Sequence, residues 1–370
     1  MKQGPRRDRV PVLVTGVGGG GHGEQILKAL RMAETPYEIV GTDVSPFSAG
    51  LQSVDHPYLV PPASDPAFLD VVLGLCRRHG VRALFHGSEP ELRVMSRERE
   101  RIAGAGILLP INPAAVIDLC MDKVRTAERL RELGFKVPSF RRVRSLDDLA
   151  GFGPLPAVLK PSVGGGGTAH VHIVQEWDTL AALTRDLLRS IPDLMVQEYV
   201  GRPEDEYTVG VLLDLDGCLL NSIAVRRYIL SSLGNRSKVP NRSGRSGLGP
   251  LLAISSGISQ GEIGRFPAVT AAAERIALAL GGRGALNLQL RTVGGEALVF
   301  EINPRFSGTT SLRAMVGYNE PDALIRKHLL GESLEPRFAY REGVIARSLA
   351  ETLLQDDRCR DARAALGRAE

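Results

Sequence analysis

Hydrophobic positions near the start of the chain come in short runs separated by helical spacing. An apolar run over residues 10–15 predicts a buried strand, a glycine turn follows over 16–23, and a helix over 25–32. A second strand at 37–41 stops at Asp43, and a helix at 68–79 with a strand at 83–86 continues the alternation. This order predicts a parallel sheet covered by helices, doubly wound and ending near Leu119. A charged amphipathic helix over 122–133 leads to Gly134 as its C-cap, and Val137-Pro138 turns the chain away.

Beyond that helix the two-residue period dominates. Strands are predicted at 157–160, 170–174, 195–199, 207–215 and 218–226, with one helix at 177–190, as in a smaller α+β unit. Residues 231–264 are rich in Ser, Gly, Asn and Arg without sustained periodicity, and a loop of that length is usually functional or mobile. A helix at 268–280 and a hairpin-like pair, 285–293 and 296–302, restore order. The charged, Ala-rich end after residue 355 predicts a frayed helix or tail.

Composition narrows the function classes. With 370 residues, 43% hydrophobic, the chain has apolar side chains for two or three domains. No apolar run approaches the roughly 20 residues of a membrane helix, and no signal-peptide core follows the basic start. The four cysteines form no CxxC pair, which predicts a reduced, cytoplasmic protein without a cysteine zinc site. A net charge of +4, spread along the chain, gives nucleic-acid binding no support.

Four constellations carry candidate chemistry. The run Gly16 to Gly21 between strand and helix, with Asp43 at the next strand end, fits a dinucleotide turn or simply close helix–strand packing. Lys160, followed by Gly164, Gly165, Gly166 and Gly167, fits a point charge and a backbone cradle for polyphosphate, or a flexible hairpin tip. Glu198, Tyr199 and Val200, with Glu206 beyond an acidic turn, fit a strand edge that reads adenine and a carboxylate for ribose hydroxyls, or an acidic surface turn. Asn287 and Gln289 share a strand face that a hairpin can bring beside Glu301 and Asn303, an oxygen set suited to Mg²⁺, with Arg305 placed to stabilise a transferring phosphoryl group or an acyl phosphate, or these polar residues simply form a solvated turn.

Taken together and in this order, from about Val12 to Leu330, these residues resemble the ATP-grasp superfamily, most of all carbamoyl phosphate synthetase large-subunit domains and related amino-acid ligases. The resemblance implies an α/β ATP-grasp fold with a Rossmann-like N-terminal domain and two α+β subdomains holding ATP between them. Met121-Asp122-Lys123 matches the family's Asp-Lys pair, Lys123 and Lys160 its nucleotide lysines, and Gly164 to Gly167 its phosphate-closing loop. Glu198, Tyr199 and Val200 match the adenine hinge, Glu206 the ribose carboxylate, Gln289, Glu301 and Asn303 the metal trio, and Arg305 the phosphate-stabilising arginine. Lys160, Asn303 and Arg305 are thereby the implied catalytic residues. Two departures stand out: Ser307-Gly308-Thr309-Thr310 occupies the stretch where many of the synthetases carry a second arginine, the next here being Arg313, and only one ATP-binding unit is present.

The implied division is residues 1–120, 121–200, 201–355 and a tail at 356–370. The implied activity joins a small-molecule carboxylate to an amine through an acyl phosphate, using ATP and Mg²⁺ or Mn²⁺ and releasing ADP and phosphate. Homodimers are common among similar proteins. A small-molecule kinase with the same ATP site, an NAD(P)-dependent oxidoreductase on the first glycine run, and a non-catalytic nucleotide sensor stay open. The arginines at 226, 227, 236, 242 and 245, with Lys238, fit either a clamp for an anionic substrate or a solvated loop.

Overall fold

The computed structural model describes residues 9–164, 170–354 and 359–367. The first unit is a parallel sheet ordered Arg360–Asp361, His56–Leu59, Tyr37–Asp43, Val10–Val14 and Ala83–Phe85. The first strand in the chain, Val10–Val14, leads through helix His22–Arg31 to Tyr37–Asp43 on one side, while Ala83–Phe85 pairs on the other. Loops leaving these two strands therefore diverge, and a crevice opens at their C-terminal ends.

A four-stranded antiparallel sheet follows, ordered Phe140–Val143, Leu194–Glu198, Ala157–Pro161 and His172–Val174. Helix Trp177–Leu187 covers it through Leu180 and Leu187. The third unit is a six-stranded antiparallel sheet ordered Glu296–Asn303, Ala285–Val293, Glu206–Leu213, Leu219–Arg227, Gly261–Gly264 and Gly343–Ile345.

Strand alternation decides what the large sheet presents. Val209, Val211, Leu213, Leu286, Leu288 and Leu290 pack with Val269, Ala273 and Ile276 of helix Pro267–Ala279. Residues of the opposite parity, Glu206, Thr208, Asn287, Gln289 and Arg291, therefore share the other face. Where that face turns apolar, Leu212, Ile223 and Val225 join Ile26, Leu30 and Tyr37 of the first unit in one core.

Two expectations change. The segment 231–264 is not a structureless loop: Asn235–Pro240 pairs with Leu251–Ser255, and Gly261–Gly264 is a strand of the large sheet. The hairpin packs Val239 and Leu252 against Val158, Ile173 and Tyr199, so its alternation serves a small local core and reads weakly in a polar sequence. Nor is the chain end a frayed tail over its described part. Arg360–Asp361 pairs with Tyr58 and Leu59, and helix Ala362–Leu366 packs Leu366 against Gly74 of helix Phe68–Arg78. Asp361 caps that last helix by accepting the Ala364 N–H at 2.9 Å.

Candidate active site

The site begins with the hairpin of the large sheet. Antiparallel pairing sets Gln289 opposite Glu301 and Asn287 opposite Asn303, and a register shift after Gln289 ends that alignment. Four oxygen-bearing side chains consequently share one strand end; Asn287 Oδ1 is taken up by Thr208 and Arg313, and Asn303 Nδ2 donates to Glu301 Oε1 at 3.3 Å. Burial works to raise the Glu301 carboxyl, but Lys123, Lys160 and Arg305 together hold it below the ordinary carboxylate range. An ionised carboxylate and two amides are a hard-oxygen set too sparse for an all-protein cage, which fits Mg²⁺ completing its shell with phosphates and water.

Opposite this hairpin, the small sheet supplies lysines. Lys160 Nζ donates to Gln197 Oε1 at 2.8 Å and to the Phe300 carbonyl at 3.3 Å. Burial pushes its ammonium down to about 8, against the pull of Glu301 and with the repulsion of Lys123. Lys123 opens helix Lys123–Glu132, whose N-cap Asp122 accepts from the Val124 and Arg125 N–H groups at 2.9 and 3.0 Å. Its Nζ lies 3.4 Å from the Gly164 carbonyl. Gly165, Gly166 and Gly167 lie outside the described residues.

The expected adenine edge is a braced strand end. Arg291 donates to Glu206 Oε2 at 3.0 Å, to the Val200 carbonyl at 3.1 Å and to the Ala253 carbonyl at 2.8 Å. Its guanidinium lies 4.4 Å from the Tyr199 ring centroid, and Tyr199 Oη accepts the Ala253 N–H at 2.8 Å. Glu206 also accepts from Arg227 at 3.1 Å, so a ribose hydroxyl would share a carboxylate already held by two guanidiniums. Glu198 accepts from Arg245 at 2.9 Å. Gln197 Nε2 is buried without a partner on the cavity wall.

Arg305 joins this hairpin to the first unit. Its Nη2 donates to Asn303 Oδ1 at 2.9 Å and to Glu89 Oε1 at 3.2 Å, its Nη1 donates to the Phe306 carbonyl, and its Nε is buried without a partner. Glu89 begins helix Glu89–Arg97, for which Ser88 is the N-cap. Burial and the Arg305 charge push His86 down to about 3 and hold His22 well below its ordinary value, so both imidazoles are neutral beside it.

One cavity of about 930 Å³ is lined by Gly164, Lys123, Lys160, Glu198, Tyr199, Val200, Glu206, Gln289, Glu301, Asn303 and Arg305, with Gly19 to His22, Ser88, Glu89 and Arg93 at its other end. Its volume lies at the upper end for small-molecule sites, enough for a nucleotide and a second molecule. Of the arginine-rich segment, Arg227 lines the cavity and Arg245 reaches it through Glu198. Arg226 does not line it, being engaged by the Glu204 carbonyl at 3.0 Å and near Glu262.

Motif reading missed Arg291 and Glu89. Arg291 follows Asn287 and Gln289 at the same strand parity, and Ser88-Glu89-Pro90-Glu91 carries a helix-start signature of capping serine, proline and glutamate. Both signals were present. Asp43, on which the dinucleotide alternative rested, accepts the Gly18 N–H at 2.9 Å and the Ser45 N–H at 3.1 Å, bracing the turn from within. Gly23 is required because a Cβ there would lie 2.2 Å from the Thr15 carbonyl oxygen.

Comparison with known proteins agrees with this geometry. Residues 12–109 match a family model described as PylC-like, N-terminal domain, and residues 255–351 match one described as ATP-grasp in the biosynthetic pathway with Ter operon. Superposition on the N5-carboxyaminoimidazole synthetase of Staphylococcus aureus complexed with ADP gives a TM-score of 0.62 at 14% identity, over 90% of this chain and 80% of that one. The chain has the ATP-grasp fold.

A second solved structure, an L-amino acid ligase from Bacillus licheniformis, superposes with a TM-score of 0.59 at 17% identity over 88% of this chain and 75% of that one. Among curated relatives, the carbamoyl phosphate synthase large chain of Pseudomonas putida is 24% identical over 318 residues, 82% of this chain but 27% of its own length. That of Thermoplasma acidophilum is 28% identical over 217 residues, 56% of this chain and 19% of its own. The chain thus spans about a quarter or less of the length of these two relatives. No helix among the described residues is long and apolar enough to cross a membrane.

Proposed function

We propose that this ATP-grasp protein is an ATP-dependent carboxylate–amine ligase that forms an amide through an acyl phosphate. The observation that carries the reading is the convergence, in one cavity, of the Gln289–Glu301–Asn303 oxygen set, Lys160, Lys123 and Arg305. The units 121–200 and 201–355 hold ATP between them, with adenine at Glu198 to Val200 and the phosphates toward Lys160, Lys123 and Gly164. Gln289, Glu301 and Asn303 would hold Mg²⁺, which when bound supplies charge neutralisation and alignment of phosphate oxygens.

The carboxylate of one substrate attacks the γ-phosphorus, the bond to the β-phosphate oxygen breaks, and ADP leaves. Lys160 and Arg305 stabilise the equatorial oxygens during this transfer, a reaction that asks mainly for positioning and charge and needs no side-chain nucleophile. The amine then attacks the acyl carbon, the carbon–oxygen bond to phosphate breaks, and the amine proton passes to solvent or buffer. The N-terminal end of the cavity, from Gly19 to His22 and from Ser88 to Arg93, is the room left for these substrates.

The test is a hydroxylamine trap with ATP, Mg²⁺ and pools of small carboxylic acids and amino acids. Hydroxamate with ADP supports the reading and names the carboxylate. Hydroxamate with AMP overturns the phosphoryl-transfer step, and ADP with a phosphorylated product but no hydroxamate makes the protein a kinase.

A further inference from the structure

We propose that Glu38, His56 and His79 form a binding site for a borderline divalent cation, represented by Zn²⁺, at the end of the first sheet opposite the nucleotide cavity. One ring nitrogen of each histidine and a carboxylate oxygen of Glu38 lie within 4.8 Å of one another. Two imidazoles and a carboxylate are donors that suit zinc and its first-row neighbours, with a fourth position left for water.

The three residues stand on well-braced elements. Parallel pairing sets His56 opposite Val40, so Glu38 and His56 are diagonal neighbours on one face of paired strands. His79 caps the C-terminal end of helix Phe68–Arg78, which packs on that face. From Glu38 to Asp43, whose carboxylate braces the glycine turn at the cavity, the strand runs about 17 Å.

The present bonding favours an added cation. His56 Nε2 and Glu38 Oε1 are 2.6 Å apart, so two of the donors already face each other. His79 Nε2 lies 2.9 Å from Tyr58 Oη, which leaves Nδ1 for a metal and supplies the outer hydrogen bond that orients a ligating imidazole. The two histidine rings are 4.4 Å apart by centroid. Tetrahedral zinc asks for roughly 3.4 Å between donors, given bonds near 2.0–2.1 Å. His56 and Glu38 are about a third exposed, at 34% and 37%, and are free to rotate inward. Arg78 and Arg360 add positive charge near His79 and limit the affinity.

The other described cluster, Asp214, Asp216 and His328, lacks this freedom. Lys327 already neutralises Asp214 at 2.9 Å, and His328 Nε2 accepts the Leu215 N–H at 3.0 Å.

The experiment is equilibrium dialysis of the full chain against Zn²⁺ in excess Mg²⁺, with metal counted per protein. The expected result is one zinc equivalent whose affinity falls tenfold or more in both His56→Gln and His79→Gln, each folded by circular dichroism. Co²⁺ in the wild-type protein is expected to give the visible bands of a low-symmetry site. No retained zinc, zinc retained equally by both variants, or featureless octahedral Co²⁺ spectra would overturn the proposal. None of these readouts depends on ligase turnover.

Discussion

Glu301 is a carboxylate held ionised inside a wall of cations, with Lys123, Lys160 and Arg305 all lowering its pKa against burial. Replacing it with Gln removes the one formal negative charge of the proposed metal trio, and turnover is expected to fall by about 10²–10³, the usual loss for a positioned electrostatic group. Measured ADP release should lose its Mg²⁺ dependence together with its rate; retention of both would remove Glu301 from the metal site. Lys160 gives a pH signature. With its pKa held near 8 it is charged below that pH and neutral above it, so ATP affinity should fall about tenfold per pH unit above 8. Calorimetry at pH 9 should register proton uptake on binding, and Lys160→Arg should flatten the profile. The linkage to stability has the opposite sense. Between about 8 and 10.5 the unfolded chain holds a proton that the folded lysine lacks, so this residue's contribution rises with pH across that window. Arg313 answers the missing second arginine: it is fully buried and bonds Glu320 at 3.0 Å and Asn287 Oδ1 at 2.6 Å. It holds Asn287, which lines the cavity, and does not itself line it. Only glycine at 210 leaves room for it, since a Cβ would sit 2.4 Å from Arg313 Nη1. Gly210→Ala should cost about 1–3 kcal/mol in urea unfolding by overpacking.

At the scale of elements, the hairpin Ala285–Val293 with Glu296–Asn303 gathers the proposed metal ligands because its register sets Gln289 against Glu301. The hairpin was legible from glycine at 294 and 295 between two largely apolar arms, but its register was not, because the pairing of Gln289 with Glu301 depends on an irregularity after Gln289 that the unbroken apolar run 297–300 does not signal. The closing segment was not legible, because two strand residues and a five-residue helix carry almost no periodic signal. Its described part nevertheless adds a fifth strand to the first sheet and buries Ala362 completely. Ala362→Asp would bury an unpaired carboxylate, and amide exchange is expected to quicken in His56–Leu59 before it changes in Ala285–Val293. Equal quickening in both strands would mean that the segment does not act locally.

At the scale of the molecule, the first unit and the large sheet share a core instead of meeting across a solvated hinge. Tyr37 Oη donates to Asp322 at 2.6 Å, and Asn319 donates to the Ala29 carbonyl at 2.7 Å. Asn112 donates to the Ala285 and Pro304 carbonyls at 2.8 and 3.1 Å and accepts the Arg283 N–H at 2.8 Å, pinning the chain between the units to the hairpin Ala285–Val293 with Glu296–Asn303. Asn112→Ala leaves those buried groups unpaired, at about 1–3 kcal/mol for each orphaned group. Scanning calorimetry should show the first unit and the large sheet melting in one transition, at a lower temperature in this variant. Separate transitions in the wild-type protein would contradict a shared core.

The sequence by itself determined the elements with strong periods and the residue types of the site. Alternation exposes Asn287, Gln289 and Glu301 as polar positions on otherwise apolar strands, and a lysine inside an apolar strand marks Lys160, because polar groups at such positions need a compensating partner. What it left open was partnership across distance. Arg305 meeting Glu89, Arg291 gathering Glu206, Val200 and Ala253, and Asp43 turning inward to the Gly18 amide join residues 216, 85 and 25 positions apart in the chain. Side-chain hydrogen bonds of that kind leave no period in a single sequence. Only the packing of three sheets about one cavity decided that Arg313 is buried, that Arg226 faces away and that the chain end returns to the first sheet.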